Sequence, residues 1–160
     1  MKNQILNILS RKSTIGIIGL GYVGLPLLMR FSEKGFKTIG FDVDVKKIDM
    51  LNCGKSYIRH IKSSQINQAL NQGFKATANF NNIENIDIII ICVPTPLSKN
   101  NAPDLSFITS TMDTIQPYLQ PYQLLVLEST TYPGTTEEEI IPYIEKIGLK
   151  LGVNYYIGYS

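Results

Sequence analysis

Residues Gly19-Leu20-Gly21-Tyr22-Val23-Gly24 form a G-x-G-x-x-G, and what flanks them constrains the fold more than any other feature of this chain. Ahead of them runs Ser13-Thr14-Ile15-Gly16-Ile17-Ile18, a short apolar stretch of the kind that forms a strand buried on both faces of a parallel sheet. Behind them runs Leu25-Pro26-Leu27-Leu28-Met29-Arg30-Phe31, apolar at helical spacing, and then Lys37-Thr38-Ile39-Gly40-Phe41-Asp42, a second strand that ends in an acid. In a strand–turn–helix–strand unit of this kind the three glycines have separate tasks: a tight turn, close approach of backbone to a pyrophosphate, and close packing of helix on strand. The free amides and positive end of the helix then face the diphosphate. Asp42 is placed to accept hydrogen bonds from the adenosine ribose hydroxyls, which favours NAD over NADP. The alternative is a glycine-rich turn in some other α/β protein. Gly19, Gly21, Tyr22, Val23, Gly24 and Asp42 are thus the first candidate cofactor-binding residues.

Strands and helices alternate along the rest of the chain, which predicts an α/β fold: a doubly wound parallel sheet of about six strands with helices on both faces. Residues 1–12 read as a helical lead-in and 13–160 as the dinucleotide-binding domain. Val43 to Asn52 reads as a helix capped by Asp44 and stopped by Gly54. Ser63 to Asn71 reads as a helix, Phe74 to Ala78 as a short strand, and Asp87 to Val93 as the clearest buried strand. Asp104 to Gln116 reads as a helix capped by Asp104, Gln123 to Glu128 as a strand, and Tyr155 to Tyr159 as the last strand. Thr135-Thr136-Glu137-Glu138-Glu139 opens a helix, with Thr135 and Glu138, or Thr136 and Glu139, spaced for a capping box.

Composition excludes several classes. A net charge of +2, with the cations dispersed, points to neither nucleic acid nor a membrane surface. No apolar run approaches the roughly 20 residues that a membrane span needs, and the N-terminus is too short and polar for a signal peptide. Cys53 and Cys92 lack metal-ligand spacing, and His60 is the single histidine, so no metal site is expected. Free thiols fit a reducing cytoplasm.

In doubly wound sheets ligands lie beyond the carboxyl ends of the strands. Two further strand ends carry distinctive sequence. Val93-Pro94-Thr95-Pro96 follows the fourth strand, its prolines stiffening a loop in which Thr95 offers a hydroxyl to the cofactor; an ordinary proline turn is the alternative. Glu128-Ser129-Thr130-Thr131-Tyr132-Pro133-Gly134-Thr135-Thr136 follows the fifth, with Ser129 and Thr130 facing the nicotinamide end; simple helix capping is the alternative. Lys46 and Lys47 either reach the adenosine ribose or lie on a solvated helix face.

Taken with Gly54-Lys55-Ser56-Tyr57-Ile58, these segments resemble the NAD-binding domain of the UDP-glucose/GDP-mannose dehydrogenase family over nearly the whole chain. The Glu-Ser-Thr-Thr-Tyr-Pro-Gly-Thr form looks like the UDP-N-acetylglucosamine 6-dehydrogenase branch. The resemblance implies a four-electron oxidation of a UDP-sugar's primary alcohol to a carboxylate with two NAD, in a cytoplasmic enzyme of polysaccharide biosynthesis. It places Val93, Pro94 and Thr95 against the cofactor and gives Thr130 a supporting role near the nicotinamide and the reacting water. The family's catalytic cysteine, lysine and asparagine belong to a C-terminal domain that does not match here, and its long dimerisation helix is likewise missing. The expectation is therefore a cofactor half that binds NAD without turnover by itself, from an enzyme that is a homodimer at full length. A hydroxyacid or 6-phosphogluconate-type dehydrogenase domain shares the early fold and stays an alternative, as does a non-catalytic NAD-binding module.

Overall fold

The computed structural model describes residues 2–97 and 103–160. Its centre is a six-stranded parallel sheet in the order β3-β2-β1-β4-β5-β6, formed by β1 (Thr14–Ile18), β2 (Lys37–Phe41), β3 (Lys75–Thr77), β4 (Ile88–Ile91), β5 (Leu124–Leu127) and β6 (Tyr156–Tyr159). This is the strand order of a dinucleotide-binding sheet, which reverses direction between β1 and β4 and leaves a crevice there. In register, Ile15 to Ile18 pair Thr38 to Phe41 on one side and Ile88 to Ile91 on the other. Every residue of β1 is buried.

The helices are α1 (Lys2–Leu9), α2 (Gly24–Glu33), α3 (Val45–Asn52), α4 (Ser63–Asn71), α5 (Ser106–Ile115) and α6 (Ile141–Lys146). Side chains alternate across a strand, so each central strand feeds both layers. Ile15, Ile17 and Ile90 join Leu25, Leu28, Ile48, Leu51 and Ile66 on the α2–α4 face. Ile18, Ile89 and Ile91 join Ile108, Met112, Ile140 and Ile144 on the α5–α6 face. Leu25 and Leu28, both fully buried, seat α2 on the sheet, each contributing roughly 1.5–3 kcal/mol of apolar burial. No helix among the described residues is long and apolar enough to cross a membrane.

Two local expectations are corrected, and one element is added. The capping box does not form: the Thr135 hydroxyl donates to the Tyr132 carbonyl at 2.8 Å, and Glu138 accepts from the Tyr132 phenol at 3.1 Å. In its place Thr136–Ile140 is one π-helical turn leading into α6. Asp104 caps from one residue further back than expected, accepting from the Ser106 amide at 2.9 Å. The link from β3 to β4 is a 3-10 turn, Phe80–Asn85, which the amphipathic pattern did not announce because it completes too few turns to show a period. Met1 of the expected lead-in lies outside the described residues; Lys2–Leu9 is helical.

Candidate functional site

At the carboxyl ends of β1, β2, β4 and β5 lies a cleft of about 730 Å³. Its floor is the glycine loop. Gly19 turns the chain at a φ of 92°, in the left-handed region where only glycine is unstrained, and a Cβ there would lie 2.7 Å from the Cys92 carbonyl oxygen. A Cβ on Gly24, the first residue of α2, would overlap the Gly19 carbonyl oxygen. At Gly21 a Cβ would meet no atom within 4 Å, because that position opens on the cleft. The first and third glycines are thus required by the protein, whereas the second keeps space clear for something else.

The helix end is correspondingly bare. Val23 precedes α2 without a side-chain cap. Among the described residues the amides of Gly21, Tyr22 and Val23 donate to no other group. Uncapped amides at the positive end of a helix are an anion site. A cradle without a Cβ and donors without acceptors, both at the helix end, suit the diphosphate of a dinucleotide.

Asp42 ends β2 at the cleft wall, with its side chain 7% exposed. It is less free than expected. Its Oδ2 accepts from the Leu20 amide at 2.9 Å and lies 3.3 Å from the Lys47 ammonium, while its Oδ1 accepts from the Asp44 amide at 2.9 Å. A carboxylate has about four acceptor positions, so one on Oδ1 remains for an outside hydroxyl. Lys47 leans over the cleft rather than lying on a solvated face: it pairs with Asp42 and sits 5.9 Å from the Tyr57 ring centroid. Lys46 is exposed.

The opposite end of the cleft is made by the loops after β4 and β5, and two hydroxyls stitch them together. Thr95 Oγ1 donates to the Thr130 carbonyl at 2.7 Å, and Ser129 Oγ donates to the Val93 carbonyl at 2.9 Å. Both hydroxyls therefore give their protons to the protein and keep only acceptor capacity for a ligand. The Thr130 side chain is exposed at the mouth. Cys92 lines the cleft, but burial, with the Glu128 carboxylate adding, pushes its thiol up to about 12. It is a protonated thiol and a poor nucleophile. Among the described residues no group of three His, Cys, Asp or Glu side chains could hold a metal ion.

Gly19, Gly21, Tyr22, Val23, Asp42, Lys47, Val93, Pro94, Thr95, Ser129 and Thr130 all line this one cleft, and Gly24 lies buried beneath it. One wall of the cleft was not expected from the sequence. Phe107, Ser110, Thr111 and Thr114 of α5 close the side near Val43 and Phe80. Their spacing of three and four residues puts them on one helix face, beside the stripe of buried Ile108, Met112 and Ile115. That second stripe was the available signal. Thr111 and Thr114 donate back to the Phe107 and Ser110 carbonyls at 2.7 and 2.8 Å, so the wall is less polar than its composition.

Strand order, glycine cradle and acid together define a dinucleotide-binding domain of the Rossmann class. The profile of the UDP-glucose/GDP-mannose dehydrogenase family, NAD binding domain, matches residues 13–160, and the chain belongs to that family, with NAD as its cofactor. The chain is 40% identical over 147 residues to Protein CapL of Staphylococcus aureus, a match that covers 91% of this chain and 34% of that one. It is 37% identical to the UDP-N-acetyl-D-glucosamine 6-dehydrogenase of Salmonella typhi, with the same two coverages of 91% and 34%. Among solved structures, a ternary complex of the GDP-mannose dehydrogenase from Pseudomonas aeruginosa superposes with a TM-score of 0.85 at 35% identity, covering 91% of this chain and 35% of that one. The chain therefore spans about a third of the length of the relatives it matches.

Proposed function

We propose that this chain supplies the cofactor half of a nucleotide-sugar 6-dehydrogenase, with residues 1–12 as lead-in and 13–160 as the NAD domain. The bare amides of Gly21, Tyr22 and Val23 hold the diphosphate. Asp42, with Lys47 beside it, takes the adenosine ribose. Val93, Pro94, Thr95, Ser129 and Thr130 line the nicotinamide end. The observation that carries the reading is the open space at Gly21 beside unpartnered helix-end amides, since no need of the fold explains either.

NAD supplies the hydride acceptor, twice for each primary alcohol taken to a carboxylate. The residues of this chain bind and orient. Thr130, exposed at the mouth, orients the reacting water. Cys92 holds its proton and does not attack carbon. The other cysteine, Cys53, is exposed and does not line the cleft, so the thiolate that captures the partly oxidised sugar is proposed to come from outside these residues, and this chain to bind NAD without turnover alone. The substrate class we infer is a UDP-N-acetylhexosamine, supported by the resemblance of Glu128 to Thr135 to that branch and by relatives that are UDP-N-acetyl-D-glucosamine and UDP-N-acetyl-D-mannosamine dehydrogenases. The whole enzyme is proposed to act as a homodimer in polysaccharide biosynthesis in the cytoplasm.

Calorimetric titration of the 160-residue chain with NAD and separately with NADP tests the reading. Saturable binding that prefers NAD is expected. Failure to bind either, or a preference for NADP, overturns it. Detectable NADH from a UDP-sugar in the presence of the pure chain overturns the division of labour.

A further inference from the structure

The Gly54-Lys55-Ser56-Tyr57-Ile58 segment has no part in the cofactor reading, yet it is built against the floor of the cleft. Ser56 closes a turn on Ile58, donating to its carbonyl at 3.0 Å and accepting from its amide at 3.1 Å. Ile58 and Ile61, only 3% and 7% exposed, plug the segment into the core on either side. The phenol of Tyr57 is thereby carried to the glycine loop, where it donates to the Leu20 carbonyl at 2.5 Å. A second contact lies nearby, with the His60 and Tyr22 ring centroids 6.3 Å apart and the ring planes inclined by 27°.

We propose that Tyr57 is a positioning residue for the cofactor's diphosphate: by holding the Leu20 carbonyl it aims the Gly21 amide into the cleft. This rests on the NAD reading of that cleft. The peptide between Leu20 and Gly21 is planar and trans, so its C=O and N–H point in opposite directions. Pinning the carbonyl on the protein side turns the Gly21 N–H to the open side. Leu20's own amide is pinned by Asp42 at 2.9 Å, so the residue is gripped at both ends. The grip is needed because glycine tolerates a peptide orientation that other residues resist, and a Gly21 free of side-chain contacts has nothing else to prevent a flip. The phenol is a permanent donor, since burial, with Asp42 and Asp44 adding, pushes its ionisation up beyond the usual tyrosine range. Asp42 and Tyr57 thus form one device joined through Leu20, with Lys47 touching both.

The test is Tyr57→Phe, which removes the hydroxyl and keeps the ring that packs the segment. Wild type and variant are titrated with NAD and with adenosine, which lacks the diphosphate, and the Gly21 amide is followed in a ¹⁵N–¹H spectrum of the free proteins. Weakening of NAD by about tenfold with adenosine changed less than about twofold is expected, as for the loss of one well-aimed donor. The Gly21 resonance is expected to shift or broaden before any ligand is added. Unchanged NAD affinity, or equal weakening of NAD and adenosine, overturns the proposal. If wild type binds no NAD, the parent reading fails separately, and an unmoved Gly21 resonance in Tyr57→Phe still overturns the lock.

Discussion

Gly21→Ala separates binding from folding more sharply than any other single change. The added Cβ meets no protein atom within 4 Å, and Gly21 does not have a left-handed φ, so the fold has no objection to it. Removing glycine's freedom from the unfolded chain should stabilise by about 0.4–1 kcal/mol. For a domain of this size that raises the melting temperature by roughly 1–4 °C. On the proposed reading, the same methyl enters the space that the diphosphate would occupy to reach the helix-end amides. Loss of at least two charge-assisted hydrogen bonds at about 1.5–3 kcal/mol each weakens NAD by roughly two to four orders of magnitude. Gly24→Ala is the counter-case: its Cβ overlaps the Gly19 carbonyl, so it should lose about 1–3 kcal/mol or more by overpacking against backbone that cannot yield. Thermal melts followed by circular dichroism, together with calorimetric NAD titrations, read both quantities. A Gly21→Ala chain that binds NAD like wild type, or that melts below it, would refute the assignment of this glycine to the ligand.

Asp42→Asn should cost both stability and selectivity. One of its three donors loses its acceptor, at about 1–3 kcal/mol, and the NAD-over-NADP ratio of dissociation constants should shrink as the repulsion of a 2′-phosphate disappears; an unchanged melt and ratio would show that the acid is misplaced. Ser129→Ala removes the stitch to the Val93 carbonyl and should lower stability by about 1–2 kcal/mol by chemical denaturation, and no change would mean that this bond does not help to hold the two loops together. Iodoacetamide at pH 8 should alkylate the exposed Cys53 and spare Cys92 in the native chain, with both labelled in urea; native labelling of Cys92, read by mass spectrometry, would contradict its protonated state. Because the folded thiol holds its proton beyond the ordinary value of 9.0, the native state binds more protons than the unfolded state above that pH. The contribution of Cys92 is then intact below about pH 9 and is lost as pH rises toward about 12, which urea titrations across that range would follow.

How much was legible in advance differs by element. β1 and β4 were plain because a strand buried on both faces is apolar at nearly every position, as Ile15 to Ile18 and Ile88 to Ile91 are apart from Gly16. The Thr135 capping box was misread because spacing reports only which groups could meet, and the Tyr132 carbonyl and phenol reached Thr135 and Glu138 first. The α5 wall went unseen because its hydroxyl stripe differs from an ordinary polar face only through what it faces. That Lys47 pairs with Asp42 was not legible in the sequence, because the 3.3 Å contact exists only once the fold sets α3 beside the end of β2.

By itself the sequence determined the class of fold, the glycine loop, the acid at the end of β2 and the two loops beyond β4 and β5, because buried periodicity and glycine's backbone freedom are local properties written residue by residue. Only the tertiary structure decided which polar groups remain free. The Asp42 carboxylate reaches the Leu20 amide, the Tyr57 phenol reaches the Leu20 carbonyl, and Thr95 and Ser129 turn their protons onto neighbouring loops. Those partners come from different strands and loops, and a hydrogen bond forms with whatever donor or acceptor lies within about 3 Å, a distance that exists only once the chain has folded.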